Sequence, residues 1–397
     1  MRSSRTLVLA LLLAGCATAP PAFRAPDGAA RPLQDIDAGM LRLMDQARVP
    51  GLALALIEHG QVVHKRAYGM ADVARGTPLR TDTIMYGASL TKAAFAWLVM
   101  QLAEEKLLSL DLPLARQLRQ PLPDYPGLAD LRADPRWDQF TPRMLLSHTS
   151  GLLNWRWINP DRKLTLNVAP GTRYVYSGEG IQLVQLLVEE RSGRPLGELM
   201  QQRVFDRFGM KHSSMTWRAD FEGRTTAHYG ADGELLPHQR RKHARAAGSM
   251  DTTLDDMALF FAGVLRGEGL SPAAQDLMLS PQLAIVSPKQ FPSHWPGDTT
   301  LNRGIGLGAG LGWPVYTSPY GPAFFKEGSD DGTNNLMLGF RRQKSGIVML
   351  SNSSNATRLF HPAVEAAFGR TCLPWYWMGY IPWDQGPLAA PVASPGC

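Results

Sequence analysis

The stretch "SLTKAAFAWLVM", residues 89–100, constrains the fold more than any other. From Ala93 to Met100 every residue is apolar. A helix that is apolar on all its faces is a core helix, surrounded by other elements. Core helices avoid lysine, because an unpaired buried ammonium is costly. Lys92, at the head of this run, therefore either reaches solvent or takes part in chemistry.

The elements around that helix read as strands at the two ends of the chain. Residues 52–57 (LALALI) read as a buried strand, and Val62 to Tyr68 as its return across the Glu58-His59-Gly60-Gln61 turn. Asn335 to Phe340 and Gly346 to Ser351 predict a second hairpin around Arg341 to Ser345. Helical patterns lie between, at Ala93 to Glu105, at Ile181 to Glu190 and after the capping sequence Thr253-Leu254-Asp255-Asp256. Residues 111–142, rich in Pro, Asp and Arg, read as irregular surface structure. The expected fold class is α/β, an α+β sandwich. An antiparallel sheet from both terminal segments is flanked by helices and carries an inserted, mostly helical lobe. A length of 397 residues accommodates one large domain or two packed lobes.

The N-terminus reads as a targeting segment. Arg2 and Arg5 precede an apolar run from Thr6 to Leu13 that is too short for a stable membrane anchor. Leu13-Ala14-Gly15-Cys16 resembles the lipobox of bacterial lipoproteins, in which the signal is cut before a cysteine that then carries lipid. The alternative is an ordinary secretory signal. No aspartate follows Cys16, so the lipoprotein reading places the protein in the periplasm, anchored at the outer membrane. Residues 1–16 are then signal and lipidated cysteine, and residues 17–32, rich in Ala, Pro and Arg, a flexible tether. The main domain is expected over residues 33–383, with the sheet from about 33–87 and 220–370 and the helical lobe over about 88–219. Residues 384–397 read as a loose tail.

Charge excludes one class of partner. Cleavage before Cys16 removes two arginines and no acid, so the net charge falls from +6 to +4 (39 basic minus 35 acidic). That balance does not argue for nucleic acid. Arg240, Arg241, Lys242, His243 and Arg245 read as a solvated loop, with an interaction patch second. With Cys16 lipidated, Cys372 and Cys397 remain, and export permits them to pair. Two free thiols are the alternative.

Three short segments carry candidate chemistry. On a helix Ser89 and Lys92, three apart, share a face. A serine needs a base to take its proton, and a lysine serves only if burial or neighbouring charge lowers its pKa. The N-terminal amides of the same helix suit a developing oxyanion. The pattern S-x-x-K is short and also arises by chance. In "PGTRYVYSGEG", Tyr176 falls at a loop-to-helix junction, where a nearby ammonium would lower its pKa toward proton relay; a tyrosine packed at a loop is the bland alternative. In "FFKEGSDDG", Lys326 reads as a strand-edge lysine, with Gly328 admitting a ligand backbone. A protective surface lysine is the alternative there.

The ordered set resembles the serine β-lactamase and penicillin-binding superfamily. Its members are Ser89-x-x-Lys92, "MLLSHTSGL" at 144–152, Tyr176, "AAGSM", "GLGW" at 310–313 and Lys326-x-Gly328. The resemblance is to the class C β-lactamase-like branch, with its D-alanyl-D-alanine carboxypeptidases and family VIII esterases, and it covers roughly residues 35–370. It implies that Ser89 is acylated, that Lys92 is its base and that Tyr176 relays protons. It implies substrate binding by Lys326, Gly328 and Ser329, with an oxyanion hole from the amides of Ser89 and Ser329. His148 is expected to hold a turn rather than act as a base. No metal or organic cofactor is implied. The partners implied are a small-molecule or cell-wall-peptide substrate and, through Cys16, a membrane.

Two positions depart from that pattern. Gly178 stands where the family usually has Asn, and Glu327 where lactamases have Thr. Strand alternation allows Glu327 to face away from Lys326 and Gly328. Both departures weaken β-lactam hydrolysis and leave acyl transfer from Ser89 intact, with ester or peptide substrates ahead. A Ser-His-Asp hydrolase lacks its G-x-S-x-G elbow here, and "GIGLGAGLG" (304–312) reads as a glycine-rich strand passing a crowded site. The aromatic segment 374–383 reads as a core cap, with a site-lining role second. The competing function is a non-catalytic envelope lipoprotein that binds cell-wall peptide or a protein partner.

Overall fold

The structure, a computed structural model, describes residues 21–293, 297–393 and 397. Cys16, the signal segment and the first four residues of the expected tether lie outside the described residues. From residue 21 onward the tether reading is corrected. Ala22–Arg24 pairs antiparallel with Ala30–Pro32. Phe23 is fully buried, with its ring centroid 5.0 Å from that of Phe368. One aromatic anchor outweighs the Ala/Pro composition around it.

Helix α1 (Leu33–Ala47) leads into β1 (Gly51–Glu58), β2 (Gln61–Asp72) and β3 (Thr77–Pro78). The apolar helix of the opening motif is α2 (Leu90–Glu104), and α3 (Gly178–Ser192) and α4 (Leu254–Arg266) follow. The chain then returns to the sheet through β4 (Leu283–Ala284), β5 (Gly308–Ala309), β6 (Pro314–Ser318), β7 (Gly321–Asp330), β8 (Thr333–Phe340) and β9 (Ser345–Ser351), and ends on α5 (Thr357–Phe368). Among the described residues these nine strands form one antiparallel sheet in the order β4-β5-β6-β7-β8-β9-β1-β2-β3. The two ends of the chain meet where β9 pairs with β1, Ser351 opposite Leu52 and Gly346 opposite Ile57.

The near-continuous apolar sequence of β1 reflects burial on both faces. Leu52, Leu54 and Leu56 join one core with α1 and α5. Ala53, Ala55 and Ile57 join the other, which includes α2 and α4. Thr253 caps α4 as its sequence predicts, its hydroxyl accepting from Asp256 N at 3.1 Å. Residues 114–139 form four short 3-10 turns rather than long helices.

Every residue of α2 from Leu90 to Leu102 is buried. The helix is packed so closely that a Cβ on Gly312 would lie 2.3 Å from the Ala96 Cβ. The glycine run is crowded, as expected, but only Gly308–Ala309 of it is strand. At the C-terminus Cys372 and Cys397 form a disulfide. Residues 384–393 carry no helix or strand. Trp375 and Trp377 are buried in the core beside α5.

Candidate active site

The turn Gly87-Ala88-Ser89 delivers the serine to the start of α2. Ala88 sits in the left-handed region (φ 46°), a conformation that non-glycine residues keep only when their surroundings enforce it. Gly328 on β7 packs onto this turn: a Cβ there would stand 2.6 Å from Gly87 O and 3.0 Å from Leu90 N. The glycine therefore admits the protein's own turn. Pairing between β6 and β7 stops at Phe324, so Lys326 to Asp330 pair with β8 alone. That half of β7 is the open edge beside Ser89. Ser89 and Ser329 line the same cleft, whose volume is about 570 Å³.

Lys92 Nζ lies 3.0 Å from Ser89 Oγ and donates to Ala247 O at 2.5 Å. Only 1% of Lys92 is exposed. Burial pushes its ammonium pKa down, and the Lys326 charge adds to the fall against the opposing pull of Tyr176. The lowered pKa favours the neutral amine, the form able to accept a proton from Ser89.

Tyr176 lies between the two lysines, with Lys92 Nζ 5.0 Å and Lys326 Nζ 5.2 Å from its ring centroid. Lys326 Nζ donates to the phenol oxygen at 3.4 Å. Burial alone would raise the phenol's pKa; the charges of Lys326 and Lys92 outweigh it, and the net direction is down. His148 braces this tyrosine. Its carbonyl accepts from Val175 N at 2.7 Å and its Nδ1 from Ser177 N at 3.2 Å. The two rings lie 4.4 Å apart. Burial, then the charges of Lys92 and Lys326, drive the His148 pKa well below its ordinary value, so the imidazole is neutral. Ser177 caps α3 by accepting from Gly180 N at 2.9 Å.

Both sequence departures have a structural counterpart. A Cβ on Gly178 would lie 2.5 Å from the Trp155 ring, so the indole fills the space of an Asn side chain. Trp155 stacks on Trp157 at 4.8 Å, and both line the cleft with Phe291. Glu327 does not face away from Lys326. It is buried, lines the cleft and accepts from Lys326 Nζ at 3.1 Å and Gln290 Nε2 at 2.6 Å. Strand alternation fixes where Cβ points, and the longer glutamate stem turns back to the ammonium beside it. Lys326 is 1% exposed, which excludes a protective surface lysine.

Sequence reasoning missed part of the wall. Residues 240–245 form an irregular, largely exposed loop, as expected, and Arg241, Lys242, His243 and Arg245 of it also line the cleft. Arg241 lies over the Tyr86 ring, 3.4 Å from its centroid, and pairs with Asp251 at 3.3 Å. Met378 and Tyr380 of the aromatic segment also reach the cleft. Besides that segment, the pair Trp155-x-Trp157 was an available signal for the aromatic wall. A separate groove of about 630 Å³ beside Met100, Leu107 and Leu277 contains none of the predicted site residues. No group of three His, Cys, Asp or Glu among the described residues is placed to hold a metal ion.

Asp251 links the cleft wall to stability. Its Oδ2 is buried without a partner among the described residues, and burial raises its pKa to about 7 against the pull of Arg241. The folded state thus holds a proton that the unfolded chain releases near pH 4. The favourable contribution is complete below the unfolded value and is lost as pH rises through about 7. Asp251→Asn is expected to remove that fall. Chemical denaturation at pH 5 and pH 8 tests it, and an equal decline in wild type and variant would contradict it.

With the geometry established, comparisons place the chain. A family model described as Beta-lactamase matches residues 36–368. Esterase EstB of Burkholderia gladioli is 30% identical over 203 residues, 44% of this chain and 50% of the esterase. The match thus spans half the length of that relative. Penicillin-binding protein 4* of Bacillus subtilis is 21% identical over 346 residues, 78% of this chain and 70% of that protein. The octameric penicillin-binding protein homologue of Pyrococcus abyssi shares the fold, with a TM-score of 0.68 at 21% identity over 84% of this chain and 76% of its own. With the family model spanning the sheet, the helical lobe and each of the Ser89, Tyr176 and Lys326 segments, the chain belongs to the beta-lactamase family.

Proposed function

We propose that the protein is a serine hydrolase that forms an acyl-enzyme on Ser89 and acts on small ester substrates. The observation that carries this reading is the buried Lys92 Nζ, 3.0 Å from Ser89 Oγ. Lys92 takes the hydroxyl proton as Ser89 attacks the ester carbonyl. The tetrahedral oxyanion is held by the amides of Ser89 and Ser329. As the carbon–oxygen bond to the alcohol breaks, Tyr176, flanked by Lys92 and Lys326, gives its phenol proton to the leaving oxygen and takes up in turn the proton that Lys92 removed from Ser89. Water then attacks the acyl-enzyme, and the acid and free Ser89 are released.

Esters rank ahead of peptides and β-lactams because Trp155 occupies the place of an Asn side chain. No side-chain amide stands at position 178 to grip a substrate amide, and the stacked indoles offer an apolar wall to an acyl group. The similarity to EstB points the same way, while that to a penicillin-binding protein keeps peptides in the comparison. The test compares kcat/KM for p-nitrophenyl butyrate, an acyl-D-alanyl-D-alanine peptide and a penicillin. The ester is expected to be fastest; faster turnover of either of the others refutes the ester assignment.

The second part of the reading is export with lipid at Cys16, placing the enzyme in the periplasm at the outer membrane. Its support is the Leu13-Ala14-Gly15-Cys16 sequence after a short apolar run. Palmitate labelling in cells is expected for the full chain and absent from Cys16→Ser. Equal labelling of both would refute it.

A further inference from the structure

We propose that Glu327 withdraws Lys326 from substrate binding, so that the ester hydrolysed here carries no carboxylate beside its scissile bond. The inference rests on the serine-hydrolase reading and adds the substrate class. An ammonium has three N–H donors and no more. Those of Lys326 have three acceptors in the protein: Glu327 O at 2.7 Å, Glu327 Oε1 at 3.1 Å and Tyr176 OH at 3.4 Å. None is left for a ligand. Glu327 in turn is fixed by Gln290 Nε2 at 2.6 Å.

Position adds to the argument. Glu327 lines the cleft, whereas Lys326, behind it, is not among the lining residues. A group approaching the open edge of β7 therefore meets a carboxylate before it meets the ammonium. The pair is internally neutral, and Glu327 Oε2 has no partner among the described residues. Glu327 Oε2 is itself shielded from solvent, so the carboxylate acts on a ligand through its charge and through its hold on Lys326 rather than by direct contact. A substrate carboxylate brought there would find no free N–H on Lys326 and would lie near a like charge, and like charges repel. Lys326 is left to serve Tyr176, which it contacts directly. The cations Arg241, Lys242, His243 and Arg245 on the cleft wall draw in any anion. Their effect is common to wild type and variant and cancels in a ratio.

The test uses two depsipeptides with one scissile ester, benzoylglycyl-D-lactate and benzoylglycyl-D-lactamide, which differ only in carboxylate against carboxamide. The readout is kcat/KM for the lactate divided by that for the lactamide. The wild-type ratio is the reference, and the cations of the wall cancel when a variant's ratio is divided by it. In Glu327→Thr the ratio is expected to rise about ten- to a hundredfold, the size of a hydrogen bond gained to a charged group. Glu327→Gln, whose amide oxygen still accepts from Lys326, is expected to rise less. A purely structural role would slow both esters and leave the ratio alone. The double variant Lys326→Met/Glu327→Gln, which removes both charges and keeps the pair neutral, gives an independent arm: both esters should slow by the same factor. An unmoved ratio in Glu327→Thr, or a ratio that falls in the double variant, overturns the proposal. Ser89→Ala separates the layers. If it still hydrolyses the lactamide, the serine-hydrolase reading fails; if it is inactive and the Glu327→Thr ratio is unmoved, only this inference fails.

Discussion

Ser89→Ala is expected to lower kcat/KM at least about a thousandfold for every ester the wild type hydrolyses, the scale set by removing a nucleophile from an acyl-transfer site. The fold is expected to survive. Ser89 is partly exposed, and the second contact of Lys92, to Ala247 O, does not depend on it. Ala88 keeps the backbone of the turn, and Thr91 still donates to Ala88 O at 2.6 Å. Activity therefore falls without a matching fall in melting temperature. A variant that hydrolyses esters at the wild-type rate would remove the enzyme reading and favour a binding lipoprotein.

Lys92→Arg is expected to lower kcat/KM by about a hundred- to ten-thousandfold, the range of a lost general base. Arginine is somewhat longer, stays charged and does not release its proton at working pH. The pH profile gives the sign. Lys92 must be neutral to accept the Ser89 proton, and burial followed by the Lys326 charge lowers its pKa from the ordinary 10.5. Wild-type kcat/KM is therefore low in acid and rises as pH passes the lowered value, reaching its plateau below the ordinary lysine range. In Lys92→Arg that ascending limb is expected to be absent. An arginine variant with wild-type rate and profile would assign the base elsewhere.

Much of the frame was legible because its signals are local. LALALI at 52–57 announced a strand buried on both faces, and the Thr253 cap announced α4. Ser89-x-x-Lys92 needed only helical spacing to bring its two atoms together. Tyr176 and Lys326 were found as motifs, 150 residues apart, and the fold brings them to 3.4 Å. What stayed hidden depends on contacts between distant segments. No local rule says that Trp155 fills the space beside Gly178, or that Gly328 is needed for the Gly87 carbonyl. Alternation alone does not give the direction of Glu327, because it governs Cβ, whereas a neighbouring buried ammonium governs the carboxylate. The basic loop at 240–245 is exposed as its composition suggests, but that it borders the cleft is set by the contacts of Arg241 with Tyr86 and Asp251, which no local rule gives. Phe23, in Ala/Pro-rich surroundings, gave no hint that it docks on Phe368.

The central claim is that Ser89 becomes covalently acylated. The most direct measurement is intact mass and peptide mapping of protein lacking residues 1–16 after incubation with a p-nitrophenyl alkylphosphonate, whose tetrahedral phosphorus is attacked as an ester carbonyl would be. The account predicts loss of esterase activity together with one phosphonyl adduct, located on Ser89 and absent from Ser89→Ala. Inactivation with the adduct on another residue, or continued ester hydrolysis by protein fully modified at Ser89, would contradict it.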